Sequence, residues 1–467
     1  MSTATKVSPI KTVNPFNNEI VKEFDVMDES QIEAIVAKAD KAFKSWKNTS
    51  FETRAALIHK VASIFRERKE ELGKLATLEM GKLLRESIYE VELCADIWDY
   101  YADHAAEFLA DHPLDVKNGE AFLAYEPIGV LLSIQPWNFP FYQITRSAAP
   151  NVMAGNTIVL KHASNVPQCA KIVEDIFKEA GAPDGVYSNL FIPGSKIDGL
   201  VNDPRIKAVA LTGSKPAGAS IAAAAGSKVK KSTLELGGSD PFIILEDADL
   251  DQAAKTTVFG RMWNAGQVCV SPKRVFIPES KSQEFLSKVK SIFADLKVGD
   301  PTKDDTDLAP LSSEKAAQDV VAQVQKAAEQ GAHVLAGGHR IDRPGAFVEP
   351  TLITDITPEM DAYFEEIFGP VYMLYTYKNV EEAIEIANAT EFGLGGSVFG
   401  KDTKKAVEVA RKIDTGMVYI NHVTGIAPEL PFGGTKESGY GREQSPAGIY
   451  EFVNAKLIRV TTPDALY

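Results

Sequence analysis

The chain has 467 residues, 45% of them apolar and 24% charged, an ordinary globular composition that excludes a disordered chain and is long enough for about three lobes. Fifty basic against 64 acidic residues give a net charge of −14, which repels phosphate backbones and anionic lipid, so no nucleic-acid or membrane partner is expected. Three scattered cysteines (Cys94, Cys169 and Cys269) exclude a disulfide framework, no histidines are spaced as metal ligands, and neither a secretory signal within residues 1–11 nor a run of ~20 apolar residues occurs, so a cytoplasmic protein without metal is expected.

In chain order, the first hundred residues read as helices. Ile32, Ile35, Val36, Ala39, Ala42, Phe43 and Trp46 recur at three- and four-residue spacing, one face of a first helix with Ser30 as its N-cap. Two more helices are expected at about 53–80 and 83–109. His112-Pro113 breaks the pattern, and Lys117-Asn118-Gly119-Glu120 signals a hairpin turn into a strand over 121–126. From Ile128 short β-rich runs alternate with helices. Strands are expected at 128–134, 157–160, 186–191, 208–211 and 232–234, with helices at 141–153, 167–180, 196–201 and 216–225 between them. This alternation predicts a parallel sheet covered on both faces. A second set follows: strands 242–245, 372–375 and 417–420, and helices 250–263, 283–296, 380–388 and 403–413. The acidic, proline-broken stretch 299–307 reads as a surface loop.

The polar residues of interest follow the strands. Pro136-Trp137-Asn138 follows the first, Lys161 the second, Thr212-Gly213-Ser214 the fourth and Glu235 the fifth. Ligands of open α/β sheets bind beyond the carboxyl ends of the strands, so these residues are predicted to meet in one crevice.

Each has a bland and a chemical reading. A lone cysteine is more often a small buried hydrophobe than a nucleophile. Cys94 and Cys169 lie on helical patterns and keep that reading. Cys269 sits in Asn264-Ala265-Gly266-Gln267-Val268-Cys269, a flexible polar loop that suits a partly exposed nucleophile. Glu235, between two leucines, is either a capped or paired acid or a desolvated base of raised pKa. Asn138 is either a turn residue flanked by proline or an amide that steadies an oxyanion. Thr212-Gly213-Ser214 leads into a helix whose N-terminal amides could hold phosphate, though it is neither a Walker loop nor G-x-G-x-x-G. Lys161 is either solvated or a partner for ribose or phosphate oxygens. His422 reads as an ordinary polar histidine.

Seven segments in order resemble the aldehyde dehydrogenase superfamily. They are Pro136-Trp137-Asn138-Phe139-Pro140, Ala154-Gly155-Asn156-Thr157, Leu211-Thr212-Gly213-Ser214, Leu234-Glu235-Leu236-Gly237-Gly238, Gly266-Gln267-Val268-Cys269, Glu366-Ile367-Phe368-Gly369-Pro370 and Pro431-Phe432-Gly433-Gly434. Ile144-Thr145-Arg146 and Lys161-His162-Ala163-Ser164 are most similar to the succinate-semialdehyde dehydrogenase branch.

The resemblance implies an α/β fold with a Rossmann-type parallel-sheet cofactor domain (1–108 and 128–236), an α/β catalytic domain (237–452) and a β-flap for oligomerisation (109–127 with 453–467). It implies NAD(P)-dependent oxidation of an aldehyde to the acid, with Cys269 as nucleophile, Asn138 and the Cys269 N–H as oxyanion hole, and Glu235 activating water. Ile134, Trp137, Lys161, Ser164, Thr212, Gly213, Ser214, Gly237, Glu366 and Phe368 are the implied cofactor residues. Members that prefer NAD often carry an acid three residues after the lysine. Here that residue is Ser164, so NADP is the expected cofactor and NAD is also accepted.

Arg146 stands where the branch has a carboxylate-binding arginine, so succinate semialdehyde is the expected substrate, with Trp263 and Phe432 completing the pocket. Two departures make that pocket more apolar. Trp263 replaces a second arginine six residues before the cysteine, and Ile426-Ala427 occupy the region of an expected serine. A broad-specificity enzyme for aliphatic or aromatic aldehydes is therefore the alternative. Ser271 stands where some relatives have a second cysteine, so a local disulfide switch cannot form. The exposed hairpin, with Phe122, Leu123 and Tyr125, implies a homodimer or homotetramer. Two other classes are a thiol hydrolase pairing Cys269 with His422 and a non-catalytic scaffold. The joint presence of Cys269, Glu235 and Asn138 argues against the scaffold.

Overall fold

Val130, Leu131 and Leu132 are consecutive apolar residues, and all six residues of the strand Val130–Gln135, Ser133 and Gln135 included, are buried. A strand covered on both faces takes such a sequence. Leu131, Ile158, Leu160 and Ala208 point into one core, and Val130, Leu132, Val159 and Val209 into another. The computed structural model, which describes residues 8–463, accordingly places this strand inside a six-stranded sheet. Its order is Gly439–Tyr440, Lys231–Glu235, Ile206–Thr212, Val130–Gln135, Thr157–His162, Tyr187–Asn189. All pairings are parallel except that of Gly439–Tyr440. Residues 1–7, placed by the sequence reading in the cofactor domain, and 464–467, placed in the flap, lie outside the described residues.

A second sheet has seven strands: His333–Ala336, Thr351–Thr354, Val371–Tyr377, Arg274–Pro278, Pro241–Ile244, Ser397–Phe399 and Tyr419–Ile420. Only its first pairing is antiparallel. It has its own large core, including Phe242, Phe276, Val289 and Tyr372. In a third sheet the strand Val453–Val460 runs antiparallel to the whole of Glu120–Pro127, which also pairs with His112–Pro113.

Several local expectations are corrected. The first hundred residues are not all helical. Ile10–Asn14 and Glu19–Phe24 form a hairpin, hidden because the second strand is exposed along most of its length and has no buried face to pattern it. The first helix, Glu29–Trp46, is capped by Asp28, which accepts the Gln31 N–H in a capping box; Ser30 merely donates its hydroxyl to Asp28 at 2.6 Å. The helix expected over 53–80 is two, Phe51–Glu67 and Lys69–Met80, because Arg68 leaves helical geometry at φ −104°, ψ 16°. The strands Arg274–Pro278, His333–Ala336, Thr351–Thr354 and Ser397–Phe399 and the helix Glu314–Glu329 were not foreseen. That helix buries Ala317, Val320, Val321, Val324 and Ala327, a helical spacing present in the sequence.

Candidate active site

Parallel register aligns the ends of four strands. Ile134 pairs with Lys161 and Leu211, and Thr212 pairs with Glu235. The Cys269 loop approaches these ends from the second sheet. It leaves the helix Leu250–Met262 through Asn264 and Ala265, both buried and both left-handed at φ 50° and 52°. Such geometry costs roughly 1–3 kcal/mol per non-glycine residue and persists only when neighbours over-determine it. They do so here. Asn264 N–H donates to Glu86 Oε2 at 3.1 Å, and Asn264 Nδ2 donates to the Asn138 carbonyl at 2.8 Å. The buried guanidinium of Arg261 donates to the carbonyls of Gly266, Ile367, Gly369 and Val371 and to Ser271 Oγ.

Cys269 is the one half-buried cysteine; Cys94 and Cys169 are fully buried. Burial pushes the Cys269 thiol up to about 12, while Arg146 and Lys273 pull the other way. A thiol of that acidity holds its proton at neutral pH, so a nucleophilic role needs a base. Asn138 is buried beside it. Its Nδ2 donates one hydrogen to the Gln267 carbonyl at 3.1 Å, and its Oδ1 accepts from Gln143 at 3.3 Å. One amide hydrogen is left for a ligand.

Glu235 ends its strand at 2% exposure, and neither carboxylate oxygen has a hydrogen-bond partner among the described residues. Desolvation holds its carboxyl well above the usual range, with Glu443 adding to the effect. A Cβ on Gly433 would lie 2.7 Å from Oε1, so glycine there leaves room for this acid. The acid reading, desolvated rather than capped or paired, matches this environment.

A cavity of about 270 Å³ is lined by Trp137, Asn138, Thr212, Gly213, Ser214, Gly237, Cys269, Glu366 and Phe368. Trp137 meets Phe368 edge-on at 5.9 Å. Ser214 is the N-cap of the helix Lys215–Ser227, yet its side chain makes no capping bond. Lys161 is half-buried, burial alone lowers its pKa, and no carboxylate pairs with it among the described residues. Ser164 is exposed just beyond that strand's end, and Ile134 is 8% exposed. An uncompensated lysine, a helix N-terminus with an idle hydroxyl and a carboxylate on the cavity wall fit the phosphates and ribose of a dinucleotide.

The residues expected to bind substrate do not share one wall. Trp263 lines a second, apolar cavity of about 320 Å³ with Tyr89, Leu93, Phe139, Tyr142 and Val268. Arg146 is fully buried and does not line that cavity, although Tyr142 beneath it does and Phe432 packs in one cluster with Trp263 and Cys269. Arg146 ion-pairs through Nε with Glu443 and donates through Nη2 to Thr212 Oγ1 at 2.9 Å. Its guanidinium lies over the rings of Phe432 and Tyr142 at 4.7 and 5.2 Å, and Nη1 has no hydrogen-bond partner among the described residues. Glu443 is fixed there because its backbone bridges to that of Phe432. His422 lines the apolar cavity and its Nδ1 bonds to the Val423 carbonyl at 2.8 Å. The thiol–imidazole contact that a hydrolase would need is not formed among the described residues.

Four residues were missed: Glu86, Arg261, Lys273 and Glu443. The first two stand on helices, where a charge reads as part of a solvated face unless its buried neighbours are known. Lys273 and Glu443 lie in loops with no periodicity to flag them. Among the described residues no cluster of His, Cys, Asp or Glu could hold a metal, and no helix is long and apolar enough to cross a membrane.

Polar and reactive side chains gathered at the carboxyl ends of a doubly covered parallel sheet define the class of α/β enzymes that bind a nucleotide at that edge. Comparison with known proteins narrows this. The model of the Aldehyde dehydrogenase family matches residues 2–458. The chain is 48% identical over 451 residues to succinate-semialdehyde dehydrogenase (NADP(+)) of Deinococcus radiodurans, covering 97% of this chain and 94% of that one. It is 45% identical over 453 residues to succinate-semialdehyde dehydrogenase (NADP(+)) 1 of Mycobacterium tuberculosis, covering 96% and 99%. The crystal structure of succinic semialdehyde dehydrogenase from Streptococcus pyogenes in complex with NADP+ matches with a TM-score of 0.96 at 45% identity, over 97% of this chain and 100% of that one. The chain belongs to the aldehyde dehydrogenase family. It is an oxidoreductase that acts on an aldehyde with a nicotinamide cofactor.

Proposed function

We propose that this chain oxidises succinate semialdehyde to succinate with NADP, accepting NAD less well. The observation that carries the substrate is full-length likeness to enzymes named for it, together with a buried arginine beside the strand ends. Lys161 without a carboxylate partner among the described residues, and Ser164 rather than an acid after it, support the choice of NADP.

In this reading Cys269 Sγ adds to the aldehyde carbon, and its proton passes to a base. The carbonyl oxygen becomes an oxyanion that Asn138 Nδ2 and the Cys269 N–H steady. When bound, the nicotinamide supplies the chemistry of accepting hydride from that carbon. The thioester left on Cys269 is then hydrolysed by water that gives its proton to Glu235, whose desolvated carboxyl suits it as a base near neutral pH. Ser214 and the helix start beyond it would hold the pyrophosphate, Glu366 the nicotinamide ribose, and Lys161 the 2′-phosphate. Ile134, Trp137, Thr212, Gly213, Gly237 and Phe368 would shape the cradle.

We read the six-stranded sheet and its helices as the cofactor domain, the seven-stranded sheet as the catalytic domain and the three-stranded sheet as the flap. The flap's edge strand exposes Leu457 and Val460, which supports a homodimer or homotetramer. Three cysteines without a bridge among them support a cytoplasmic setting.

One observation favours the second reading. Arg146 already has Glu443 as partner, and the cavity beside Trp263 is apolar, which suits a broad range of aldehydes. Measuring kcat/KM for succinate semialdehyde, hexanal and benzaldehyde, each with NADP and NAD, separates the two. We expect succinate semialdehyde to lead by at least about tenfold and to lose about that factor in Arg146→Ala, the worth of one charged hydrogen-bonded contact. Equal activity toward hexanal, or an unchanged Arg146→Ala, rejects the dicarboxylic substrate.

A further inference from the structure

Lys273 sits where three pieces of the site meet. It stands four residues after Cys269, immediately before the strand Arg274–Pro278, and is wholly buried. Its Nζ donates to the carbonyls of Val268 at 2.8 Å and Cys269 at 2.6 Å. It also ion-pairs with Glu366 Oε1 at 3.0 Å. That oxygen accepts the Gly238 N–H at 3.3 Å, and a Cβ on Gly237 would run into Glu366 Oε2. A buried ammonium is costly unless every donor is used. Two carbonyls and a carboxylate use all three, and the carboxylate lies on the wall of the cavity that Cys269 also lines.

We propose that Lys273 is a positioning residue that governs how readily Cys269 gives up its proton, through a positive charge clamped to the Cys269 carbonyl and balanced by Glu366. The proposal rests on the reading of Cys269 as the nucleophile. The charged and titratable groups facing the thiol come from several elements. Arg146 and Tyr142 lie on the helix Tyr142–Ala154, Asp240 lies just before the strand Pro241–Ile244, and Glu366 and Lys273 lie on loops. Lys273 and Arg146 favour the thiolate, whereas Glu366 and Asp240 oppose it. Lys273 and Glu366 thus act with opposite signs on one sulfur while touching each other.

The test is the rate at which iodoacetamide alkylates Cys269 in the full chain without cofactor at pH 8. Sγ displaces iodide, and the Cys269 peptide is quantified by mass spectrometry; Cys94 and Cys169 are buried and slow. Removing a nearby opposite charge raises the thiol pKa by about one unit, which lowers the thiolate about tenfold. The more basic thiolate is intrinsically more reactive and returns about a factor of three. Lys273→Met is therefore expected to react about threefold more slowly, Lys273→Arg at the wild-type rate, and Glu366→Gln about threefold faster. The double variant Lys273→Met with Glu366→Gln should return close to wild type. A lysine that only braced the loop would move both single variants in the same direction. An unchanged rate in Lys273→Met, or no acceleration in Glu366→Gln, overturns the proposal. Should Lys273→Met fail to fold, Lys273→Gln, which keeps a donor to the Val268 and Cys269 carbonyls but no charge, takes its place with the same threefold slowing expected. Failure of the underlying reading shows separately: Cys269→Ser would then still reduce cofactor with aldehyde, whatever the alkylation rates.

Discussion

Asn138 and Glu86 are two small groups whose consequences can be worked out from their partners. Asn138 spends one amide hydrogen on the Gln267 carbonyl and keeps the other. Loss of one oxyanion donor costs about 3–4 kcal/mol of transition-state stabilisation. Asn138→Ala is therefore expected to lower kcat about 10²- to 10³-fold with a smaller change in KM, read from steady-state kinetics. Glu86 illustrates the same physics in stability. Burial raises its carboxyl to about 7, with Lys82 and the Asn264 N–H pulling down. Between the ordinary value of 4.5 and 7 the folded chain holds a proton that the unfolded chain has released. Stability from this group is present below 4.5 and is lost as pH rises through 7. Melting temperatures from pH 4.5 to 7 should fall less steeply in Glu86→Gln than in wild type.

The helix Leu84–Phe108 matters more than its sequence suggested. Glu86 and Glu90 are buried on its inner face, with Lys82 just ahead of it. Lys82 Nζ reaches Glu90 Oε2 at 2.5 Å and lies over the Phe139 ring at 3.7 Å. Glu90 Oε1 accepts the N–H groups of Phe141 and Tyr142 at 2.8 and 2.9 Å. One helix thus anchors the Asn138 turn through Glu90 and the Cys269 loop through Glu86. Removing one partner of a buried pair strands the other charge, which costs about 3–5 kcal/mol. Lys82→Met should lose that much in urea denaturation, and the double variant with Glu90→Gln should recover part of it. Charges at positions 82, 86 and 90 carry the spacing of a solvated helical stripe, so they do not declare their burial. By contrast the run Val130-Leu131-Leu132 and the alternation of short strands with helices were legible, because a strand covered on both faces places consecutive apolar residues in both phases. The Glu19–Phe24 hairpin strand was not, since it is open to solvent and no core imposes a pattern on it.

At the scale of the molecule, two largely parallel sheets with separate cores both contribute to the wall of one cavity. Thr212 comes from the first sheet, with Glu235 paired to it at the end of the next strand, while Cys269 and Glu366 come from loops of the second. Strand-end positions in the first sheet were readable because ligands of such sheets bind there. In the second sheet Ser397–Phe399 was not, because it is short, nor was His333–Ala336, an exposed edge; Arg274–Pro278 and Thr351–Thr354 are buried strands that neither reason covers. The partner of Arg146 was not legible, because Glu443 lies nearly three hundred residues later and is set beside it by a backbone bridge to Phe432. The central claim is that two facing lobes make Cys269 the carrier of the acyl group and Glu235 the base that releases it. Its most direct test is intact-protein and peptide mass spectrometry on Glu235→Gln, quenched shortly after mixing with succinate semialdehyde and NADP. A succinyl thioester that accumulates on Cys269 only when both are present is the predicted result. Full turnover by that variant with no adduct on Cys269, or an adduct on any other residue, would contradict the account.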